Sequence, residues 1–136
     1  MSQRITFVLD AFRECVARDE SEEYLTILLD CLTKICEAYL RRHPRTPALY
    51  ESGVKYLEEP PGAEDWDDIP TTIAMEVTDC ETLACWRAAE LRTRGGIAAE
   101  AVFSREAQDN GTQLYHILVR YPDGTVEDPS RILGMR

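Results

Sequence analysis

Apolar residues recur every three or four positions along the first third of the chain, which predicts a long amphipathic helix. Asp19 and Ser21, with glutamates at 22–23, are typical of a helix start. The basic residues 41–43 suit the C-terminal end of the helix dipole, and Pro44 ends the helix. The residues expected to face inward are Leu25, Leu28, Leu29, Leu32, Ile35, Cys36 and Tyr39.

The segment before this helix has a similar but shorter pattern. Residues 5–17 predict a preceding helix, and a short strand over 4–9 is the alternative. In the helical interpretation the inward residues are Ile5, Val8, Leu9, Phe12 and Val16. Residues 1–43 are therefore expected to form a helical part made of two packed helices.

Prolines break up residues 44–72, which we expect to be the most irregular part of the chain. A short helical turn is predicted at 46–50 and a short extended piece at 53–56. The acidic stretch 58–68 is interpreted as a surface loop that Trp66 folds back onto the domain. Loops of this length often contribute to binding sites.

The C-terminal part, residues 73–136, predicts one helix followed by strands. The helix spans 78–94, with Thr78 or Asp79 as its cap and Gly-Gly at 95–96 ending it. Its apolar face consists of Leu83, Ala84, Trp86, Ala88 and Leu91. The expected strands are 97–103, 113–121 and 125–128, the last two joined by a tight turn at 122–124. Helices followed by an antiparallel meander predict the α+β class.

The length and the net charge limit the classes of function that the chain can have. The chain has 136 residues, which suits one domain, 1–136, and its net charge is −10. An acidic chain lacks the basic face that nucleic acid requires, so we expect no nucleic-acid partner.

No stretch is long and apolar enough for a membrane span, and the N-terminal apolar run is too short for a signal peptide, so a cytoplasmic protein is expected. The acidity indicates either a solvated surface or a groove for a basic peptide or lysine side chain.

The five cysteines could serve as free thiols, as zinc ligands or as a redox pair. Cys15, Cys31, Cys36, Cys80 and Cys85 are an odd number, and without secretion free thiols are expected. The Cys31/Cys36 and Cys80/Cys85 spacings suggest zinc, and the second pair also suggests a redox switch. Residues five apart on a helix point about 140° from each other, however, so one metal or one disulfide joins neither pair easily. We therefore predict no metal and no cofactor.

One cysteine differs from the others by its position. Cys80 opens a predicted helix, where unsatisfied N–H groups and the helix dipole favour the thiolate and are expected to lower the pKa of the thiol. His116 lies on a predicted strand and can take the thiol proton, and Asp128, one hairpin later, can orient that histidine. Each residue alone also has a structural interpretation: Cys80 as a core thiol, His116 as a strand histidine and Asp128 as the start of a turn.

Six short motifs occur in a characteristic order around these residues. They are Asp-Cys-Glu-Thr-Leu-Ala at 79–84, Arg92, Gly-Gly-Ile-Ala-Ala-Glu-Ala at 95–101, Tyr-His-Ile-Leu-Val at 115–119, Asp-Gly at 123–124 and Asp-Pro-Ser at 128–130. In this order they resemble the transglutaminase-like / papain-like cysteine protease superfamily. More loosely, the acidic segment with its tryptophan followed by this helix resembles small proteins of tailed bacteriophages.

The resemblance implies a papain-like core and a catalytic triad with Cys80 as nucleophile, His116 as base and Asp128 as orienting acid. The Cys80 N–H would be one oxyanion donor, with Trp66 the candidate for the second and Tyr56 behind it. Thr78 replaces a glycine that the family often has before its Asp-Cys pair. The residues after His116, at 117–118, also differ from the usual small residue and aromatic.

The sequence therefore predicts thiol-dependent acyl transfer on a protein or peptide substrate. Hydrolysis by a cysteine peptidase or amidase is favoured over transamidation because the chain is short. The alternative is a structural or adaptor protein, such as a virion or tail component, that keeps the fold and acts through contacts with other virion proteins. Its contact faces would be the acidic loop and the helical N-terminal part.

Overall fold

The computed structural model describes residues 18–60, 65–107, 109 and 113–136, with the backbone alone for 18–21, 106–107 and 113–114. The helix or strand predicted within residues 4–17 lies outside these ranges. In chain order the elements are α1 (Arg18–Arg42), a 3-10 turn (Leu49–Glu51), β1 (Lys55–Tyr56), α2 (Ile69–Met75), β2 (Val77–Thr78), α3 (Cys80–Gly95), β3 (Glu100–Ala107), β4 (Gln113–Arg120), β5 (Val126–Glu127) and α4 (Pro129–Ile132).

A small antiparallel sheet of order β3-β4-β5 packs with the helices, so the mixed α and β content is confirmed. In its register Ser104 pairs with His116 and Val119 pairs with Glu127. Strands β1 and β2 form a separate two-stranded parallel ladder, which the sequence did not predict. Strands of two residues are too short to show the alternation by which a strand is recognised.

Helix α3 is the centre of the molecule and packs against α1, β3, β4 and α4. All five residues of its predicted apolar face are buried, and Thr82, Cys85, Ala89 and Glu90 are buried as well. Such a helix is surrounded by protein on most sides. Its ends agree with prediction, because Asp79 is the N-cap and Gly96 takes a left-handed conformation at the C-cap.

Helix α1 buries one face against α3, and Leu29, Cys36 and Leu40 are each at most 3% exposed. Ile35, expected to face inward, is 50% exposed. It is one residue from Cys36, and one residue turns a helix by about 100°, which carries Ile35 out of the buried face. Asp19 lies inside the helix and therefore does not cap it, because α1 already includes Arg18.

No helix among the residues that the structure describes is both long and apolar enough to cross a bilayer.

The region predicted as irregular, 44–72, contains the expected turn and extended piece, as the 3-10 turn and β1. Its end is a correction, because α2 begins at Ile69, where the Asp68 side chain accepts the Thr71 N–H at 3.0 Å. Strand β3 begins at Glu100, three residues after the predicted start. Residues 97–99 instead stay bonded to the end of α3: the Ile97 N–H donates to the Leu91 carbonyl at 3.0 Å, and Arg92 Nε donates to the Ala99 carbonyl at 2.6 Å.

Candidate active site

The start of α3 is held in place by the parallel β1-β2 ladder. The Leu57 N–H donates to the Thr78 carbonyl at 2.9 Å, and the Glu59 N–H donates to Asp79 Oδ2 at 3.3 Å. Asp79 Oδ1 accepts the Cys80 N–H at 2.7 Å and so caps the helix. Cys80 is therefore the first helical residue, as predicted, and its side chain is 7% exposed.

His116 and Asp128 lie side by side at the sheet edge. His116 Nε2 and Asp128 Oδ2 are 2.9 Å apart, and the histidine is 8% exposed. The β4-β5 pairing ends at Glu127, which delivers the next residue, Asp128, to the histidine. Asp128 Oδ1 also accepts the Arg131 N–H at 3.3 Å and caps α4. Both interpretations of Asp128, as a histidine partner and as the start of a turn, therefore describe the same carboxylate.

The third predicted residue, Cys80, lies next to the same strand. The Ile117 N–H lies near enough to the Cys80 sulfur to lower the pKa of its thiol, and Ile117 follows His116 on β4. Helix α3 packs against β4, so Cys80 lies close to the strand that carries His116. All three predicted residues are described by the structure, and no hydrogen bond joins the Cys80 sulfur to the imidazole. Because Nε2 is bonded to Asp128, Nδ1 is the nitrogen that can accept a thiol proton.

The protonation of Cys80 differs from the expectation. Burial raises the pKa of its thiol, Glu81 and Asp79 raise it further, and the Ile117 N–H opposes them. The expectation that the helix N-terminus lowers this pKa is wrong for the resting structure. Loss of solvation and two carboxylates outweigh the partial charge at the helix end.

The expected oxyanion donors are the Cys80 N–H and the side chains of Trp66 and Tyr56. The Cys80 N–H is already donated to Asp79. Trp66 is half-buried and packs against the core, and its neighbour Asp67 exchanges 3.2 Å hydrogen bonds with Thr82 in the first turn of α3. Burial raises the pKa of the Tyr56 hydroxyl, and the charges of Asp79 and Cys80 raise it further. The effect of these two charges shows that Tyr56 lies close to Cys80.

A network of charged and phenolic groups, which the sequence analysis missed, anchors the strand that carries Asp128. Arg87 donates to Glu127 at 2.7 Å and to Glu90 at 3.1 Å. Tyr50 and Tyr121 also donate their hydroxyls to Glu127. Glu127 directly precedes Asp128, so the network holds β5 in register beside α3. Arg87 and Glu127 are 40 residues apart, and no sequence spacing indicates that they meet.

Three adjacent residues, Asp79, Cys80 and Glu81, have ligand atoms within 4.8 Å of one another. A cation there would face the positive end of the α3 dipole, and Asp79 already caps that helix. We assign no metal to them. Cys31 and Cys36, the first pair considered for zinc, lie on different faces of α1, because Cys31 is exposed and Cys36 is buried.

Comparisons with protein-family models, curated proteins and solved structures gave no match to this chain.

Proposed function

We propose that the protein is a thiol-dependent acyl-transfer enzyme, a cysteine peptidase or amidase with a transglutaminase-like core. One observation carries the proposal. His116 and Asp128 form a 2.9 Å pair, and the next residue of the strand, Ile117, has its N–H near enough to the Cys80 sulfur to lower the pKa of the thiol. A nucleophile, a base and a group that orients the base are the parts that covalent acyl transfer requires.

The raised pKa of Cys80 determines how the reaction begins. Its resting thiol is neutral, so His116 acts as a general base at the moment of attack. Nδ1 takes the proton while the sulfur bonds to the carbonyl carbon of an amide. The tetrahedral intermediate collapses to a thioester when His116 returns the proton to the leaving amine. Water then attacks the thioester while His116 Nδ1 takes one of the water protons. The second tetrahedral intermediate collapses as His116 gives that proton to the sulfur, which releases the acid product and restores the thiol.

Asp128 serves the histidine in both halves of this cycle. Its carboxylate accepts a hydrogen bond from the Nε2–H group, which directs Nδ1 towards the thiol. The carboxylate also stabilises the imidazolium that forms. Its bond to the Arg131 N–H fixes the carboxylate in this orientation. The mechanism uses side chains alone and includes no metal or organic cofactor.

The oxyanion donor that this mechanism needs is assigned to Tyr56, with Trp66 as the second candidate. Both side chains carry a polar hydrogen, and both lie on segments joined to the start of α3. The raised pKa of Tyr56 keeps its hydroxyl protonated, so it remains a donor over the whole neutral range.

An adaptor function is the second candidate, and two observations favour it. Burial holds the Cys80 thiol neutral, and α1 has apolar side chains in solvent, with Ile27 57% exposed. An adaptor of this kind, for example in a phage particle, would act through such a face and leave Cys80 as a core residue.

Alkylation by iodoacetamide at pH 7, with each cysteine followed by mass spectrometry, separates the two functions. N-acetylcysteinamide, a neutral model thiol added to the same sample, serves as the reference. A catalytic Cys80 is expected to react at least about tenfold faster than this model thiol, because a general base adds about 10² or more to such rates. His116→Ala should remove this advantage and leave the rate of the model thiol unchanged.

The matched control is Cys85, which is also buried on α3 and has its pKa raised by burial to about 12. Alkylation of Cys80 at the slow rate of Cys85, with no response to His116→Ala, would exclude the catalytic function and favour the adaptor.

A further inference from the structure

Helix α1 carries a second apolar stripe on the side opposite its buried face. Ile27 is 57% exposed, Ile35 is 50% exposed, and Cys31 between them is also exposed. Tyr24, half-buried, and Ala38, exposed, extend the stripe by one turn at each end. The spacings of three and four keep all five on one face of a helix about 37 Å long.

The stripe is symmetric about Cys31. Ile27 and Ile35 are each four residues from it, and Tyr24 and Ala38 are each seven. If a second α1 packs antiparallel with Cys31 on the two-fold axis, each Ile27 meets an Ile35. Each Tyr24 then meets an Ala38, so that a large side chain faces a small one. Self-complementarity of this kind is the requirement of a two-fold interface.

The charges of α1 select the antiparallel orientation. Its N-terminal part contains the exposed Glu23, and its last turn contains Arg41 and the exposed Arg42. Glu23 lies eight residues before Cys31 and Arg42 eleven after it, so an antiparallel pair brings them within about 4.5 Å along the axis. A parallel pair would place like charges together. Antiparallel helices also oppose their dipoles favourably.

We propose that the protein forms a homodimer through this stripe, the α1 stripe of Tyr24, Ile27, Cys31, Ile35 and Ala38, paired antiparallel around Cys31. The Asp30–Lys34 ion pair, at 3.0 Å, lies along one edge of the stripe and forms a polar rim. The buried face of α1 stays against α3, so dimerisation leaves the core unchanged.

Sedimentation equilibrium on the full chain tests the proposal first. We expect a mass twice the 15.5 kDa of one chain, and a single-chain mass for the double variant Ile27→Asp, Ile35→Asp. The matched control is Met75→Asp, Val126→Asp, which changes two side chains of similar exposure, 56% and 60%, outside α1 and should remain dimeric. Circular dichroism spectra that match the unmodified protein would show that each variant is folded.

Cross-linking tests the position of the axis. A short bismaleimide adds to one thiol of each copy, and we expect a covalent dimer that Cys31→Ser abolishes. A monomer at all concentrations would overturn the proposal. A dimer that persists in the Ile27→Asp, Ile35→Asp variant would also overturn it, because the interface would then lie elsewhere.

Discussion

At the scale of single residues, Asp128 makes three contacts with different chemistry. Its Oδ2 contacts His116 and, at 3.3 Å, Nε of the exposed Arg131, and its Oδ1 accepts the Arg131 N–H at the start of α4. Asparagine is as good a helix cap as aspartate but carries no charge, so substitution can separate the two functions of this side chain.

We expect Asp128→Asn to lower the Cys80 alkylation rate at pH 7 by about tenfold or more, since the imidazolium loses its counter-charge. Its free energy of unfolding, from urea denaturation, should change little. Asp128→Ala should slow alkylation similarly and also lower the free energy of unfolding by about 1 kcal/mol, because the cap is lost. If Asp128→Asn alkylates at the unmodified rate, the carboxylate does not assist His116.

Glu127 accepts hydrogen bonds from three side chains, Arg87, Tyr50 and Tyr121. Burial favours its neutral form, but hydrogen bonds from Arg87, Tyr121 and Tyr50 outweigh burial and hold its pKa below the ordinary value. A carboxylate of this kind stabilises the fold above its unfolded pKa, and the stabilisation is lost as the pH falls through the folded pKa.

Glu127→Gln should therefore lower the free energy of unfolding at pH 7 by on the order of 2 kcal/mol, since the partly buried Arg87 then keeps only Glu90 as a charged partner. In urea titrations at several pH values, the difference from the unmodified protein should be constant near neutrality and shrink below about pH 4.5. The control is Glu100→Gln, whose ion pair with Arg120 is about half exposed; its effect should stay below about 1 kcal/mol. Equal losses for both variants would contradict this ranking.

At the scale of elements, the end of α3 places two glycines in opposite backbone environments. Gly95 is the last helical residue, and Gly96 has φ 62°, a left-handed conformation. A Cβ at Gly96 would meet no atom within 4 Å, so backbone conformation alone penalises a side chain there.

Gly96→Ala should lower the free energy of unfolding by about 1 kcal/mol, and Gly95→Ala should raise it by up to about 1 kcal/mol. A Cβ at Gly95 meets only the Ile97 side chain, at 3.4 Å, so it fits with little adjustment. Chemical denaturation of the two variants in parallel measures both signs. A stabilising Gly96→Ala would show that the left-handed cap does not form.

At the scale of the whole molecule, the net charge of −10 is partly concentrated near the start of α3. Asp79 and Glu81 raise the pKa of Cys80, and Glu58 adds to the rise at Tyr56. Glu59 is a further acidic group there: burial raises its pKa, and the Asp79 charge adds to the rise. A negative field of this kind attracts cationic reagents and substrates and repels anionic ones.

We therefore expect a cationic methanethiosulfonate to modify Cys80 faster than an anionic one, by a ratio several times larger than for the neutral model thiol N-acetylcysteinamide in the same sample. Raising the salt from about 0.05 to about 0.5 M should bring the two ratios together, since salt screens exposed charges. Equal ratios for Cys80 and the model thiol at low salt would show that the acidic residues do not influence access to Cys80.

Helix α1 shows how far sequence periodicity reaches. Its heptad-like pattern predicted an amphipathic helix, and Leu29, Leu32 and Cys36 are buried as expected. The pattern could not show that Ile35 belongs with Ile27 and Cys31 on the opposite side. Two apolar stripes on one helix give overlapping spacings, and the position of α3 decides which stripe is buried.

The sequence by itself determined the local features: the extent of α3 from its capping residues, the Asp123–Gly124 turn, and Cys80 as the first residue of a helix. These depend on backbone geometry over a few neighbouring residues. The tertiary structure alone decided the pKa of Cys80 and the Arg87–Glu127 network, because burial and contacts between distant residues exist only once the chain has packed. The pairing of His116 with Asp128 required both, since the turn brings their strands together and the register determines which residues meet.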